Sequence, residues 1–302
     1  MKTDKNLSRK HGDFSKFVKK DTPKKEKLSK EEAKKRKKPR DKKNKITIKL
    51  RENVKKKDPN ENNDGLLRLN KFVANSGICS RREADKLIEA GVISVNGKII
   101  TELGTKVSRN DIVKYGEIPI VPEKLNYILL NKPKGFISTM DDPFERKTVM
   151  SLVSDACKER IYPVGRLDIN TTGLLLFTND GELAKRLTHP KYGVKKLYHI
   201  SLDKSLTNND FEKIANGIEL EDGMIKVDKI AYVEHVNDKK QLGIEIHSGR
   251  NRIVRRIFES MNYKVLRLDR VVFAGLTKKD VPRGKWRQLK EHEINVLKRF
   301  SV

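Results

Sequence analysis

From residue 66 onward the chain alternates short apolar clusters with polar stretches rich in glycine and proline, and the spacing inside each cluster predicts an element. Leu69, Phe72 and Val73 recur at helical intervals until Gly77 ends the segment. Ser80-Arg81-Arg82-Glu83 has the form of a capping box, in which a hydroxyl and a carboxylate satisfy free amides at the start of a second helix. Ala84, Leu87 and Ile88 line the apolar face of that helix, and Gly91 closes it. Val92 to Val95 and Lys98 to Ile100 then flank Asn96-Gly97, the strongest two-residue hairpin signal. Between Tyr115 and Lys124, where Pro119 and Pro122 fall, neither period is visible and the stretch reads as a linker.

Further on the runs become more apolar. Tyr127 to Leu130 predicts a buried strand, turned by Pro133-Lys134-Gly135, and Val149 to Leu152 suits a short helix. Leu174 to Phe177, bounded by Gly173 and by Asn179-Asp180-Gly181, predicts a second buried strand with polar residues at its mouth. Asp180 fits the N-cap of a helix striped by Leu183, Ala184 and Leu187, which stops at His189-Pro190. Lys195 to Leu202 alternates polar and apolar as a strand. Phe211 to Gly217 is expected to be helical, and Gly223 to Val233 and Gln241 to Ile246 to form antiparallel strands. Gly249 is expected to turn the chain into a helix that buries Ile253, Val254, Ile257 and Phe258.

Charge adds a partner to this picture. The 302 residues carry 68 Lys and Arg against 41 Asp and Glu, a net +27. Residues 1 to 64 alone hold 25 basic against 11 acidic residues, with apolar positions too sparse to offset the entropy of folding. They read as a disordered basic tail. Such a balance favours a polyanion, since lysines near phosphates displace condensed counterions. Two cysteines, Cys79 and Cys157, without a pairing pattern suit a reducing, cytoplasmic setting, and neither a membrane span nor a signal peptide is visible. The six histidines show no metal spacing, and no nucleophile elbow, P-loop or dinucleotide glycine pattern occurs, so neither a metal nor a small-molecule cofactor is expected.

The stretch Gly165-Arg166-Leu167-Asp168 places an acid and a base on a loop leading into the Leu174 strand. Taken alone, Arg166 and Asp168 suit a structural ion pair as well as they suit a reactive site. The longer pattern G-R-L-D-x-x-T-x-G-L-L-L-x-T-N-D-G resembles the catalytic motif of the pseudouridine synthases, in the branch acting on ribosomal RNA (the RsuA/RluB type), whose catalytic aspartate maps onto Asp168. N-K-P-x-G-x-x-S-T from Asn131 is similar to the first motif of that branch, although Lys132 and Lys134 read equally well as loop charges. Tyr198 matches the active-site tyrosine of the family, and Gly249 to Arg256 resembles its G-R-N-R-x-V-R-R stretch, with Ile253 where many members carry glutamine. By that resemblance Arg250 is the basic residue facing the aspartate; Arg252, Arg255 and Arg256 suit either phosphate binding, the role expected of them here and of Arg166, or simple solvation of the helix. Leu266 to Arg270 and Arg283 to Leu289 fit the closing strands, with Trp286 in the core. The stretch from about Leu66 to Val113 resembles an S4 RNA-binding domain, which implies that Arg81, Arg82 and Lys86 contact folded RNA.

The expected fold is α+β: a tail over 1–64, an S4-like domain over 65–114, a linker over 115–125 and, over 126–302, a catalytic domain on a mixed, mainly antiparallel sheet. The expected activity is isomerisation of a uridine to pseudouridine by an aspartate nucleophile, with Tyr198 holding a flipped-out base and Arg250 keeping the carboxylate charged. Large-subunit ribosomal RNA is the expected substrate, free or in a pre-ribosomal particle, for an enzyme acting as a monomer. Small-subunit ribosomal RNA and transfer RNA are the alternatives within the class, and a non-catalytic ribosome-assembly factor is the alternative outside it.

Overall fold

The computed structural model describes residues 65–233 and 239–299. The basic tail expected over 1–64 lies outside them. Strand β1 (Leu67–Arg68) leads straight into helix α1 (Leu69–Asn75), and α2 (Arg81–Glu89) starts at the capping box read from the sequence: the Ser80 hydroxyl accepts from the Glu83 amide, and the Ser80 amide donates to the Glu83 carboxylate. β2 (Ile93–Val95) and β3 (Lys98–Ile99) form the hairpin, with Asn96 at φ 52° and Gly97 at φ 83°, the doubly left-handed turn that this dipeptide favours. β4 (Lys106–Val107) pairs with β1. Leu69, Phe72, Val73, Ala84, Ile88, Ile93 and Val113 make one apolar core beneath the helices.

The stretch read as a linker is more ordered than its composition suggests. β5 (Val113–Tyr115) pairs with β6 (Ile118–Pro119) to complete a four-stranded sheet, and Pro119 fits because it ends an edge strand, where no amide is needed. Further along, the Glu123 amide donates to Asn75 O at 2.8 Å, fastening the connecting segment to the first unit, and Lys71 on α1 pairs with Glu182 of the second.

The second unit is a nine-stranded sheet. Its main path runs β11 (Lys229–Tyr232), β12 (Gln241–Ile246), β10 (Lys196–Leu202), β13 (Val265–Phe273), β9 (Thr172–Thr178), β7 (Tyr127–Lys132) and β15 (Trp286–Gln288), with β8 (Tyr162–Pro163) on β9 and β14 (Leu276–Thr277) on β13. β13 and β9 are parallel, and the other pairings are antiparallel. β7 and β9 are buried along their whole length, which is why they read as continuous apolar runs. Burying each of Leu174 to Phe177 contributes about 1.5–3 kcal/mol. Helices α3 (Gly181–Thr188), α4 (Asn208–Asn216), α5 (Ile253–Glu259) and α6 (Glu291–Arg299) cover the sheet, and Asp180 caps α3 through the Leu183 amide. Val149–Leu152 forms a 3-10 turn.

Two local expectations change. Only Lys229–Tyr232 of the span 223–233 is strand; Ile218 and Ile225 close a separate small loop by a β-bridge. The turn before α5 is made at Arg252, in the left-handed region at φ 46°, and not at Gly249, whose φ is not positive. At the parallel junction Gly173 lies beside Arg270, with φ 109° and so little room that a Cβ there would sit 2.3 Å from Arg270 O.

Candidate active site and RNA-facing surface

The loop Gly165–Thr171 enters β9 from the edge of a cleft of about 180 Å³. Asp168, Tyr198, Arg250, Arg252, Lys196 and Arg270 are among the residues that line it. The loop is held from below by the segment after β7. The Ser138 hydroxyl donates to Leu167 O at 2.9 Å and accepts from the Leu167 amide, and the Gly135 amide donates to Ile169 O at 2.9 Å. Thr171 closes the turn, its amide donating to Asp168 O at 3.0 Å.

Lys132 is the unexpected member of this support. It is fully buried, and its Nζ donates to the carbonyls of Thr171 at 2.9 Å, Asp168 at 3.1 Å, Pro133 at 3.1 Å and Ile169 at 3.4 Å. An ammonium therefore sits beneath the Asp168 backbone and fixes the course of the loop. Burial lowers its pKa to about 8, against the opposing pull of the Asp168 charge. Of the two readings open for Lys132, the loop charge does not fit: it ends a fully buried strand, a position where a lysine needs such acceptors.

The arginine nearest the Asp168 carboxylate is Arg255, not Arg250. Arg255 Nε lies 4.0 Å from Asp168 Oδ2, and Nη1 donates to Val265 O at 2.9 Å. Burial lowers the Arg255 pKa, the Arg252 charge lowers it further and Asp168 opposes both. Arg250 turns outward instead, donating to Gly223 O at 3.0 Å and standing 3.6 Å from Asp222. The cause is the start of α5: with Arg252 as the left-handed cap, Ile253, Val254 and Arg255 point inward, while Arg250 stays in the exposed approach. Arg256 makes a two-pronged pair with Asp222 at 2.6 and 2.9 Å, and Arg252 pairs with Glu259 at 3.1 Å. Arg166 is exposed at the rim and makes no ion pair with Asp168 among the described residues.

Tyr198 is half-buried in β10, packed against two of the apolar cores while lining the cleft. Its register partner on β13 is Arg270. Trp286 packs on the edge of the core that includes Leu175 and Phe177, and its indole donates to Asp155 at 3.1 Å. In the first unit Arg81, Arg82 and Lys86 are exposed along α2. Sequence reading missed Lys196 and Arg270 on the cleft wall. Burial lowers Lys196 to about 8, helped by the Arg270 charge and opposed by Asp228, and its Nζ donates to His247 O at 2.7 Å.

Residues 126–260 match the RNA pseudouridylate synthase family and residues 67–113 match the S4 domain. The chain belongs to the pseudouridine synthase family and carries an S4 RNA-binding domain. It is 41% identical over 237 residues to the ribosomal large subunit pseudouridine synthase B of Bacillus subtilis, covering 78% of this chain and 96% of that one. To an uncharacterized RNA pseudouridine synthase of Aquifex aeolicus it is 40% identical over 233 residues, covering 76% and 93%. A crystal structure of a pseudouridylate synthase superposes with a TM-score of 0.53 at 28% identity, over 76% of this chain and 99% of that one. No helix among the described residues is long and apolar enough to cross a membrane.

Proposed function

We propose that this enzyme isomerises a specific uridine of large-subunit ribosomal RNA, with Asp168 as the nucleophile. The observation that carries the reading is the approach of Arg255 to Asp168, which lines the same cleft as Tyr198. A carboxylate can add covalently and later leave, and a neighbouring guanidinium favours its charged form. Tyr198 stacks on the flipped-out base, since a uridine within an RNA stack is out of reach. Arg81, Arg82 and Lys86 bind RNA phosphates and hold the substrate in register, and Arg166, Arg250 and Arg252 continue that footprint along the rim. Arg255 is assigned to the carboxylate, and Arg256 to holding the loop that bears Asp222. The catalytic domain spans 126–302, follows a tail and an S4 domain, and works in the cytoplasm. The choice of large-subunit RNA rests on the 41% identity to the Bacillus subtilis protein.

Mapping pseudouridines in ribosomal and transfer RNA from cells with and without the gene tests this directly. Loss of one large-subunit site, restored by the wild-type gene and not by Asp168→Asn, is the expected result. Loss of a small-subunit or transfer RNA site would move the substrate. An unchanged map would favour a non-catalytic assembly factor.

A further inference from the structure

Among the described residues Arg270 is a buried guanidinium without a carboxylate. It is 3% exposed, its Nε donates to Leu174 O at 2.8 Å, its Cζ lies 4.5 Å from the centre of the Phe273 ring, and its buried Nη2 has no hydrogen-bond partner among those residues. The adjacent acid cannot serve it. Asp269 is committed to Lys278, to Arg283 at 3.3 Å and to the Thr172 hydroxyl at 2.8 Å, and successive side chains of a strand point to opposite faces. A buried charged donor left unpaired is costly, so its retention calls for a partner that arrives later. Position says where that partner comes from. Arg270 lines the cleft with Asp168, stands opposite Tyr198 across β10 and β13, and stands opposite Gly173 across β13 and β9. Lys196 lines the same wall, so the floor of the cleft is cationic.

We infer that Arg270 is a substrate-contacting residue that donates to a carbonyl oxygen of the target uracil and stabilises the negative charge gathering there during isomerisation. The inference rests on the synthase reading above and adds a residue to it. In the reaction the C1′–N1 bond breaks and a C1′–C5 bond forms, while C5 gives up a proton and N1, having lost the ribose, takes one up. If the ribose is attacked, the departing uracil takes the electron pair and spreads it over its carbonyl oxygens; if the ring is attacked at C6, the pair moves to O4. Both routes place charge on a carbonyl oxygen, where a fixed guanidinium stabilises the transition state more than the ground state.

The test is single-turnover tritium release from C5-labelled uridine at saturating enzyme, together with RNA affinity. Arg270→Met is expected to slow the saturated rate by about 100-fold, the usual loss for one oxyanion donor, with affinity within about threefold of wild type. Arg270→Lys should recover part of the rate. Because a buried substitution can unfold the chain, the wild-type enzyme is also assayed on RNA carrying 2-thiouridine or 4-thiouridine at the target, where sulfur is the poorer acceptor. At least one is expected to slow it about tenfold, the worth of one strong hydrogen bond. Unchanged rates with both thiouridines, or an Arg270→Met rate within threefold of wild type, overturn the inference and leave the synthase reading intact. A wild-type enzyme inactive on every RNA overturns both.

Discussion

The S4 unit and the second unit, around its cleft, both carry cations, but in opposite settings. Arg81, Arg82 and Lys86 stand exposed along α2, whereas Lys132, Arg270 and Arg255 are only 0, 3 and 9% exposed. Exposed cations exchange small counterions for phosphates, so their contribution is affinity that salt erodes. Buried cations have already lost their water and cannot move, so they act on the difference between two states of a reacting atom. On the reading proposed above, the first set gathers RNA, Arg255 and Arg270 act at one nucleotide, and Lys132 holds the loop that carries Asp168.

The sharpest way to break this division is Asp168→Asn, which removes charge and little volume. The saturated rate should fall at least about a thousandfold, roughly 4 kcal/mol of barrier, while RNA affinity stays within about twofold. A loss of affinity alone would place Asp168 in the RNA footprint.

Next comes Asp269→Asn, a stability experiment. Burial pushes the Asp269 carboxyl up, but Lys278, Arg283 and Thr172 outweigh it and the net shift is downward. Removing one member of a buried pair should cost about 3 kcal/mol in denaturant unfolding at neutral pH. Because the folded-state pKa is depressed, this stabilisation is present above the unfolded-state pKa and fades as pH falls through the lowered value. The gap between wild type and variant should therefore close in acid, and a gap independent of pH would show that packing, not charge, is lost.

Arg255→Met and Arg250→Met separate the two arginines of one motif. The first should lower the saturated rate about 100-fold with little change in affinity, and the second should do no more than weaken binding a few-fold. The reverse order would mean that Arg250 swings inward when RNA binds. The smallest effect is expected from Arg81→Ala with Arg82→Ala: the slope of log affinity against log salt should flatten by about 2, with the saturated rate unchanged.

Local patterns made much of the fold legible. The capping box at Ser80, the Asn96-Gly97 hairpin and the buried run from Leu174 each need only neighbouring residues, so each stood in the sequence as it stands in the structure. Asp168 and Tyr198 were reached through motif resemblance, and the fold brings both to the cleft. What was hidden depended on tertiary burial. Spacing gives no sign that Arg255 points inward and Arg250 outward, because that is decided by the left-handed cap at Arg252. Lys132 and Arg270 look like ordinary charges until β7 and β13 are found as interior strands of the sheet. The alternation around Arg270 was the available signal, since Leu268 and Arg270 share one face of β13 and are both buried.

The junction at Gly173 also bears on how this protein can vary. A methyl group there would collide with Arg270 O at 2.3 Å and Arg270 N at 2.5 Å, so the separation between the Asp168 loop and the Arg270 strand is set by main chain against main chain. Side chains elsewhere in the apolar layers, such as Leu175 or Leu176, can be exchanged for others of similar volume at a cost below about 1.5 kcal/mol without entering that contact. The interior is thus free to drift over generations while the aperture of the cleft is inherited unchanged, and a library scored for activity should accept aliphatic replacements in β9 yet return only glycine at position 173.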